Sequence, residues 1–159
     1  MSISTAIPTV FNRGLLSALL VLGGLSVGAS ADEAVYLAPP GSDGSAPYSP
    51  AVIYGGVIYL SGQLGVVPDT GKLAEGGIGP ETRQTMENVK ATLERAGGSM
   101  DDVIKCTVFL ADIAEWSAMN AVYTEFFSNM PARSAVGVSG LGLNARTEIE
   151  CMAAAPDED

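Results

Sequence analysis

The sequence contains no histidine. That removes the commonest general base near neutral pH and the commonest metal ligand together, and with them any Ser-His-Asp or Cys-His arrangement. Acid–base chemistry is left to carboxylates, tyrosine, lysine, cysteine or a held water. Positive charge is also scarce: 8 Lys and Arg stand against 18 Asp and Glu, a formal net charge of −10. No run of basic residues occurs, so the chain repels a phosphate backbone, and nucleic acid is excluded as a general partner. A small anionic ligand would need one strong local cation to overcome the same field. Cysteine is limited to Cys106 and Cys151. They lack CxxC spacing, which speaks against zinc and thioredoxin-like chemistry. Whether they pair depends on strand order and is open at this point. No internal repeat is present, and 159 residues supply apolar material for one core rather than two.

The first 31 residues read differently from the rest. Arg13 is the only charge before Asp32, an apolar stretch centred on Leu15 to Leu25 follows it, and Ala29-Ser30-Ala31 is an A-x-A pattern. These features predict a secretory signal peptide over residues 1–31, cleaved after Ala31. The competing reading is a membrane anchor: the uncharged span from Gly14 to Ala31 is 18 residues, near the minimum for crossing a bilayer, but its second half is rich in Gly and Ser. Without Arg13 the mature chain carries seven cations against 18 anions, a net charge of −11. The expected destination is the periplasm, with no membrane association after cleavage. If the segment is not functional, the expectation is a cytoplasmic protein.

Residues 32–46 lack apolar periodicity and read as a flexible arm, and residues 156–159 form an acidic tail. Between them lie seven elements. Ala51 to Tyr54 and Val57 to Ser61 are β-rich runs joined by Gly55-Gly56, which predicts a hairpin. A helix is predicted over Pro80 to Ala96, with Met86, Val89, Leu93 and Ala96 as its buried stripe and Gly97-Gly98 as its stop. Asp102 to Leu110 reads as a buried strand. Asp112 caps a second helix, with Glu115 as a capping-box partner and Trp116, Met119, Tyr123 and Phe126 as its core face. Ser134 to Ser139 and Arg146 to Ala153 read as two further strands. The order β-β-α-β-α-β-β predicts an α+β fold, with the helices on one face of a single mixed sheet.

Seven short pieces along this stretch occur in one order: Pro47-Tyr48-Ser49, Ser61-Gly62-Gln63, Glu87-Asn88-Val89, Lys105-Cys106-Thr107-Val108-Phe109-Leu110, Asn120-Ala121-Val122-Tyr123, Pro131-Ala132-Arg133-Ser134 and Glu148-Ile149-Glu150. In order and spacing, residues 47–155 resemble the Rid (YjgF) family of enamine/imine deaminases. The resemblance implies a six-stranded sheet backed by two helices, the chorismate-mutase-like YjgF fold. It also implies a homotrimer whose sheets form a barrel, with sites in the clefts between subunits. The implied reaction is hydrolysis of 2-aminoacrylate-type enamines and 2-imino acids to 2-keto acids and ammonia, with no metal and no organic cofactor.

Site residues follow position by position. Arg133 matches the arginine that binds the substrate carboxylate, and a guanidinium suits that task because its fork offers two parallel charge-assisted hydrogen bonds. Glu148 matches the glutamate that positions the attacking water; imine hydrolysis needs a water near carbon and a proton shuttle to nitrogen, and one carboxylate can serve both needs. On the strand Glu148 shares a face with Glu150, opposite Ile149 and Cys151. Tyr48, Ser61, Gly62 and Asn120 match residues lining the pocket. Ala135 occupies a position where many relatives carry cysteine, whose backbone carbonyl is thought to help hold the water. The link from Phe127 to Pro131 is shorter than in many relatives. The alternative reading is a non-catalytic trimer that binds small carboxylates or acts as a chaperone; ribonuclease activity, reported for some relatives, stands further off because of the acidity and the missing histidine.

Overall fold

The computed structural model of the protein describes residues 33–42 and 45–156. The leader expected over residues 1–31 and all but the first residue of the tail expected over residues 156–159 lie outside them.

Gly55 and Gly56 both take positive φ, 59° and 73°, a conformation that matches a two-residue turn to the twist of its strands. They join β2 (Ala51–Tyr54) to β3 (Val57–Leu60) as the expected hairpin. β4 (Gln63–Leu64) continues from β3, and β5 (Val66–Val67) pairs with β6 (Lys72–Leu73) across the turn at Pro68–Gly71. Helix α1 (Ile78–Arg95) follows, then β7 (Val103–Leu110), α2 (Trp116–Tyr123), β8 (Ala132–Gly137) and β9 (Thr147–Ala154).

The main sheet has seven strands rather than six. Its order is β1 (Val35–Tyr36), β2, β3, β9, β7, β8, with β4 also on β9; β7 and β8 run parallel and the other pairs antiparallel. The extra strand β1 comes from the segment expected to be a free arm. It pairs with β2, Leu37 N–H donates to the Ala51 carbonyl at 3.0 Å, and Arg95 donates to the Ala38 carbonyl at 2.6 Å. Pairing with an open sheet edge uses backbone groups, so it leaves no apolar periodicity to read in the sequence.

Alternation along β9 divides the sheet into two faces. Thr147, Ile149, Cys151 and Ala153 are buried under the helices, while Glu148, Glu150, Met152 and Ala154 are more exposed on the other face. Val108 and Leu110 of β7, Ile58 and Leu60 of β3, and the α1 stripe Met86, Val89, Leu93 and Ala96 complete the core. Cys106 lies directly opposite Cys151 in the β7–β9 register, and the two form a disulfide with a Cα–Cα distance of 4.1 Å.

The second helix departs from expectation in two ways. The Asp112 side chain does cap its start, accepting from Ala114 N–H, but Glu115 pairs with Arg146 instead of completing a capping box. Met119, Tyr123 and Phe127 are buried, whereas Trp116 is 39% exposed. α2 is eight residues long with 3₁₀ turns at both ends, and it lies over β8, the last strand of the sheet. Trp116 packs against Arg133 of β8, and among the described residues no further strand follows β8 in the sheet.

Candidate active site

Arg133 is the second residue of β8 and faces α2. Its Cζ lies 4.6 Å from the Tyr123 ring centroid and 5.5 Å from that of Trp116. Both distances are within cation–π range. The other three arginines among the described residues are engaged: Arg83 with Glu125, Arg95 with the Ala38 carbonyl and Arg146 with Glu115. Arg133 makes no hydrogen bond or ion pair with any described residue, so rings hold its plane while its donors stay free. Trp116, Asn120 and Tyr123 fall at i, i+4 and i+7 on one side of α2, which sets Asn120 beside this stack. Tyr123 is 2% exposed and its hydroxyl has no hydrogen-bond partner among the described residues. Burial pushes its pKa up to about 12, while the adjacent Arg133 charge pulls the other way. Ala135, two residues along β8, shares the Arg133 face and packs on the core.

Glu148 belongs to a second cluster. β3 meets β9 in one register (Tyr59 opposite Met152) and β4 in another (Gln63 opposite Ile149). Four steps on one side match three on the other, so Ser61-Gly62 carries a one-residue bulge. The Glu148 carboxylate lies over it: a Cβ on Gly62 would sit 1.9 Å from Oε1. Only a residue without a side chain leaves that space. Ser61 Oγ donates to the Ser49 carbonyl at 2.7 Å and Ser61 N–H to the Pro50 carbonyl at 3.0 Å, which ties the segment bearing the exposed Tyr48 to the bulge. From α1, Asn88 Nδ2 donates to the Leu64 and Val66 carbonyls, both at 2.8 Å, and fixes the strand beyond it. The buried Glu81 accepts from Arg146 N–H at 2.6 Å and Thr147 N–H at 3.3 Å, which anchors the start of β9.

The structure therefore sorts the expected site residues into two groups, Arg133, Asn120 and Ala135 on one side and Tyr48, Ser61, Gly62 and Glu148 on the other. Within one chain these groups do not face each other. Arg133 pairs with Cys106, which pairs with Cys151 on the helix side, whereas Glu148 pairs with Phe109 on the opposite face. Two strand spacings, roughly 10 Å, and the sheet itself separate them.

Residues 41–155 match the family model described as Endoribonuclease L-PSP. The chain belongs to this family, the Rid (YjgF) proteins. The chain is 43% identical over 115 residues to the human 2-iminobutanoate/2-iminopropanoate deaminase, covering 72% of this chain and 82% of that protein. A RutC family protein of Pyrococcus horikoshii is 46% identical over 108 residues, covering 67% and 86%. Among solved structures, E. coli TdcF with bound serine superposes with a TM-score of 0.69 at 34% identity, covering 77% of this chain and 99% of that one.

In this Rid chain the sequence reading placed Trp116 and Tyr123 in the core and gave Asn88 and Glu81 no site role. An aromatic residue one α2 turn from Asn120 was the available signal for Trp116. The polar anchors had none, because their partners are backbone groups far away in sequence. A hollow of about 230 Å³ opens elsewhere, on the exposed sheet face between Tyr59, Lys105, Thr107, Glu150 and Met152. It adjoins Glu150 rather than Glu148 and touches neither cluster. The free donors of Arg133 and the seated carboxylate of Glu148 make a stronger case for chemistry than the shape of this hollow does.

Proposed function

We propose that the protein hydrolyses 2-imino acids and their enamine tautomers to 2-oxo acids and ammonia, in sites formed between copies of the chain in a homotrimer. The observation that carries the reading is the state of Arg133: a guanidinium held by ring faces, with no donor used by any described residue, in an acidic protein, is built for a small carboxylate. The 2-iminobutanoate/2-iminopropanoate deaminase name of the human relative and the serine bound to TdcF support a small ligand of this class. The separation of Arg133 from Glu148 supports assembly, because a second copy can bring its Glu148 cluster to the first copy's Arg133 without passing through a sheet. The exposed sheet face, with Tyr59, Val136 and Met152 each more than a third exposed, supports burial against other copies.

In the reaction, Arg133 holds the carboxylate and Glu148 accepts a proton from water as its oxygen bonds to the imine carbon. The nitrogen gains protons, the C–N bond breaks, and the oxygen-bound proton leaves as the carbonyl forms. Tyr48, Ser61, Gly62, Asn120 and Ala135 shape the pocket, and the step requires no metal or organic cofactor. The Cys106–Cys151 bond supports an oxidising destination, in line with the leader expected over residues 1–31.

The test is a coupled assay of ammonia release from freshly generated 2-iminopropanoate. Arg133→Ala and Glu148→Gln should each lower kcat/KM by about 10²- to 10⁴-fold. Co-expressed as mixed oligomers, the two variants should recover about one quarter of wild-type activity, because a quarter of the sites draw both intact residues from different copies. Absence of ammonia release by the wild type sinks the deaminase reading; absence of recovery in verified mixed oligomers sinks the shared site.

A further inference from the structure

Arg133, Ala135 and Gly137 alternate with Ser134 and Val136, so the three share the β8 face turned toward α2. Successive members are roughly 7 Å apart. Arg133 stands at one end with its donors free. At the other end Ile113 lies directly over Gly137, where an added Cβ would be 3.2 Å from the Ile113 Cβ. The methyl of Ala135 is the floor between them. Trp116, three residues after Ile113, flanks the guanidinium. Ile113 is 53% exposed and Trp116 39%. Tyr123, closer to Arg133 and buried, already supplies a stacking ring. Holding the cation therefore does not require a second aromatic residue that leaves over a third of its surface in water. A carboxylate anchor continued by an exposed apolar strip is complementary to an acid with an apolar substituent.

We propose that Trp116 and Ile113 determine specificity: they receive the side chain of an acid whose carboxylate sits on Arg133, and the protein prefers 2-imino acids with branched or aromatic side chains over the three-carbon one. The small Ala135 floor keeps the strip open between anchor and wall. The reacting group in this proposal rests on the deaminase reading; the binding preference does not.

The test compares kcat/KM for imines generated in situ from alanine, leucine and phenylalanine by an amino-acid oxidase, for the wild type, Trp116→Ala and Trp116→Phe. The wild type should favour the leucine- and phenylalanine-derived imines by about tenfold or more, a typical worth for an apolar pocket filling with a few carbons. Trp116→Ala should lower that preference ratio by about tenfold, and Trp116→Phe by less. A role confined to stacking on Arg133 lowers all three values alike and leaves the ratio unchanged, which overturns the proposal, as does a wild type without preference. In parallel, calorimetry measures wild-type binding of pyruvate, 4-methyl-2-oxopentanoate and phenylpyruvate. If no imine is hydrolysed, the deaminase reading fails and the proposal stands or falls on these affinities: tighter binding of the two larger acids, lost in Trp116→Ala, supports the strip, and equal affinity for all three overturns it.

Discussion

The surroundings of Arg133 and of Glu148 are built from opposite materials. Arg133 rests on two aromatic rings and makes no hydrogen bond to any described residue. Around Glu148 the backbone is pinned by polar bonds: Ser61 to Ser49, Asn88 to Leu64 and Val66, and Glu81 to the start of β9. The difference follows from what each residue has to offer. A guanidinium fixed by hydrogen bonds would have spent its donors, whereas ring faces restrain its plane and leave the fork open. In its proposed role Glu148 needs its oxygens free and its location fixed, and here the fixing falls on its strand and on the glycine beneath it. Preorganisation is needed in both places, but only the second can be built from ordinary buried hydrogen bonds.

The disulfide joins the strands between these two regions and offers the largest perturbation. Cys106 neighbours Arg133 across β7 and β8, while Cys151 is three residues from Glu148 on β9. Replacing both cysteines with serine removes a cross-link closing a 45-residue separation, which loop-closure entropy values at about 4 kcal/mol. Denaturant unfolding of the variant should show a loss of that order. Equal midpoints for the two proteins would show that the β7–β9 ladder alone supplies this stability.

Gly62→Ala acts on the Glu148 side alone. The new methyl must displace the carboxylate, since it would sit 1.9 Å from Oε1. A misplacement near 1 Å costs about 10²-fold in rate, so kcat should fall by about that factor while the affinity for a 2-oxo acid held by Arg133 falls far less. A variant that loses binding and turnover together would mean that Gly62 supports carboxylate binding as well as the placing of Glu148, and would erase the division of labour between the two regions.

How much of this was legible in the sequence follows the same division. The Gly55-Gly56 hairpin, the α1 stripe and the β7 and β9 strands are written in local periodicity and turn chemistry, and they stand within two residues of their expected limits. β1 was not legible because it docks through backbone. Trp116 was misread because helical spacing gives the side of a helix but not whether a neighbouring strand continues beneath it. Resemblance to a family named the site residues, yet in one chain they form two groups rather than one pocket. Residue spacing alone says nothing of which sheet face each group occupies. The Cys106–Cys151 bond was left open for a related reason: the pairing became evident only once β7 and β9 proved adjacent and in register.

The smallest expected effect belongs to the ring under Arg133. The Tyr123 hydroxyl is buried without a partner among the described residues, and desolvation lifts its pKa from 10.0 to about 12 against the pull of Arg133. The folded state thus holds this proton more tightly than the unfolded chain does. The resulting stabilisation is complete below pH 10 and is lost as pH rises from there toward 12. Tyr123→Phe keeps the aromatic face and removes the titration. Its unfolding midpoint should fall less steeply than that of the wild type over this alkaline range. At neutral pH it should match or exceed the wild type by up to about 1 kcal/mol, since a buried hydroxyl without a partner is gone. Alkaline slopes that coincide in the two proteins would assign the loss to the other tyrosines. A marked loss of stability at neutral pH would mean that the hydroxyl is bonded in solution, and that the Arg133 region depends, like the Glu148 region, on hydrogen bonds.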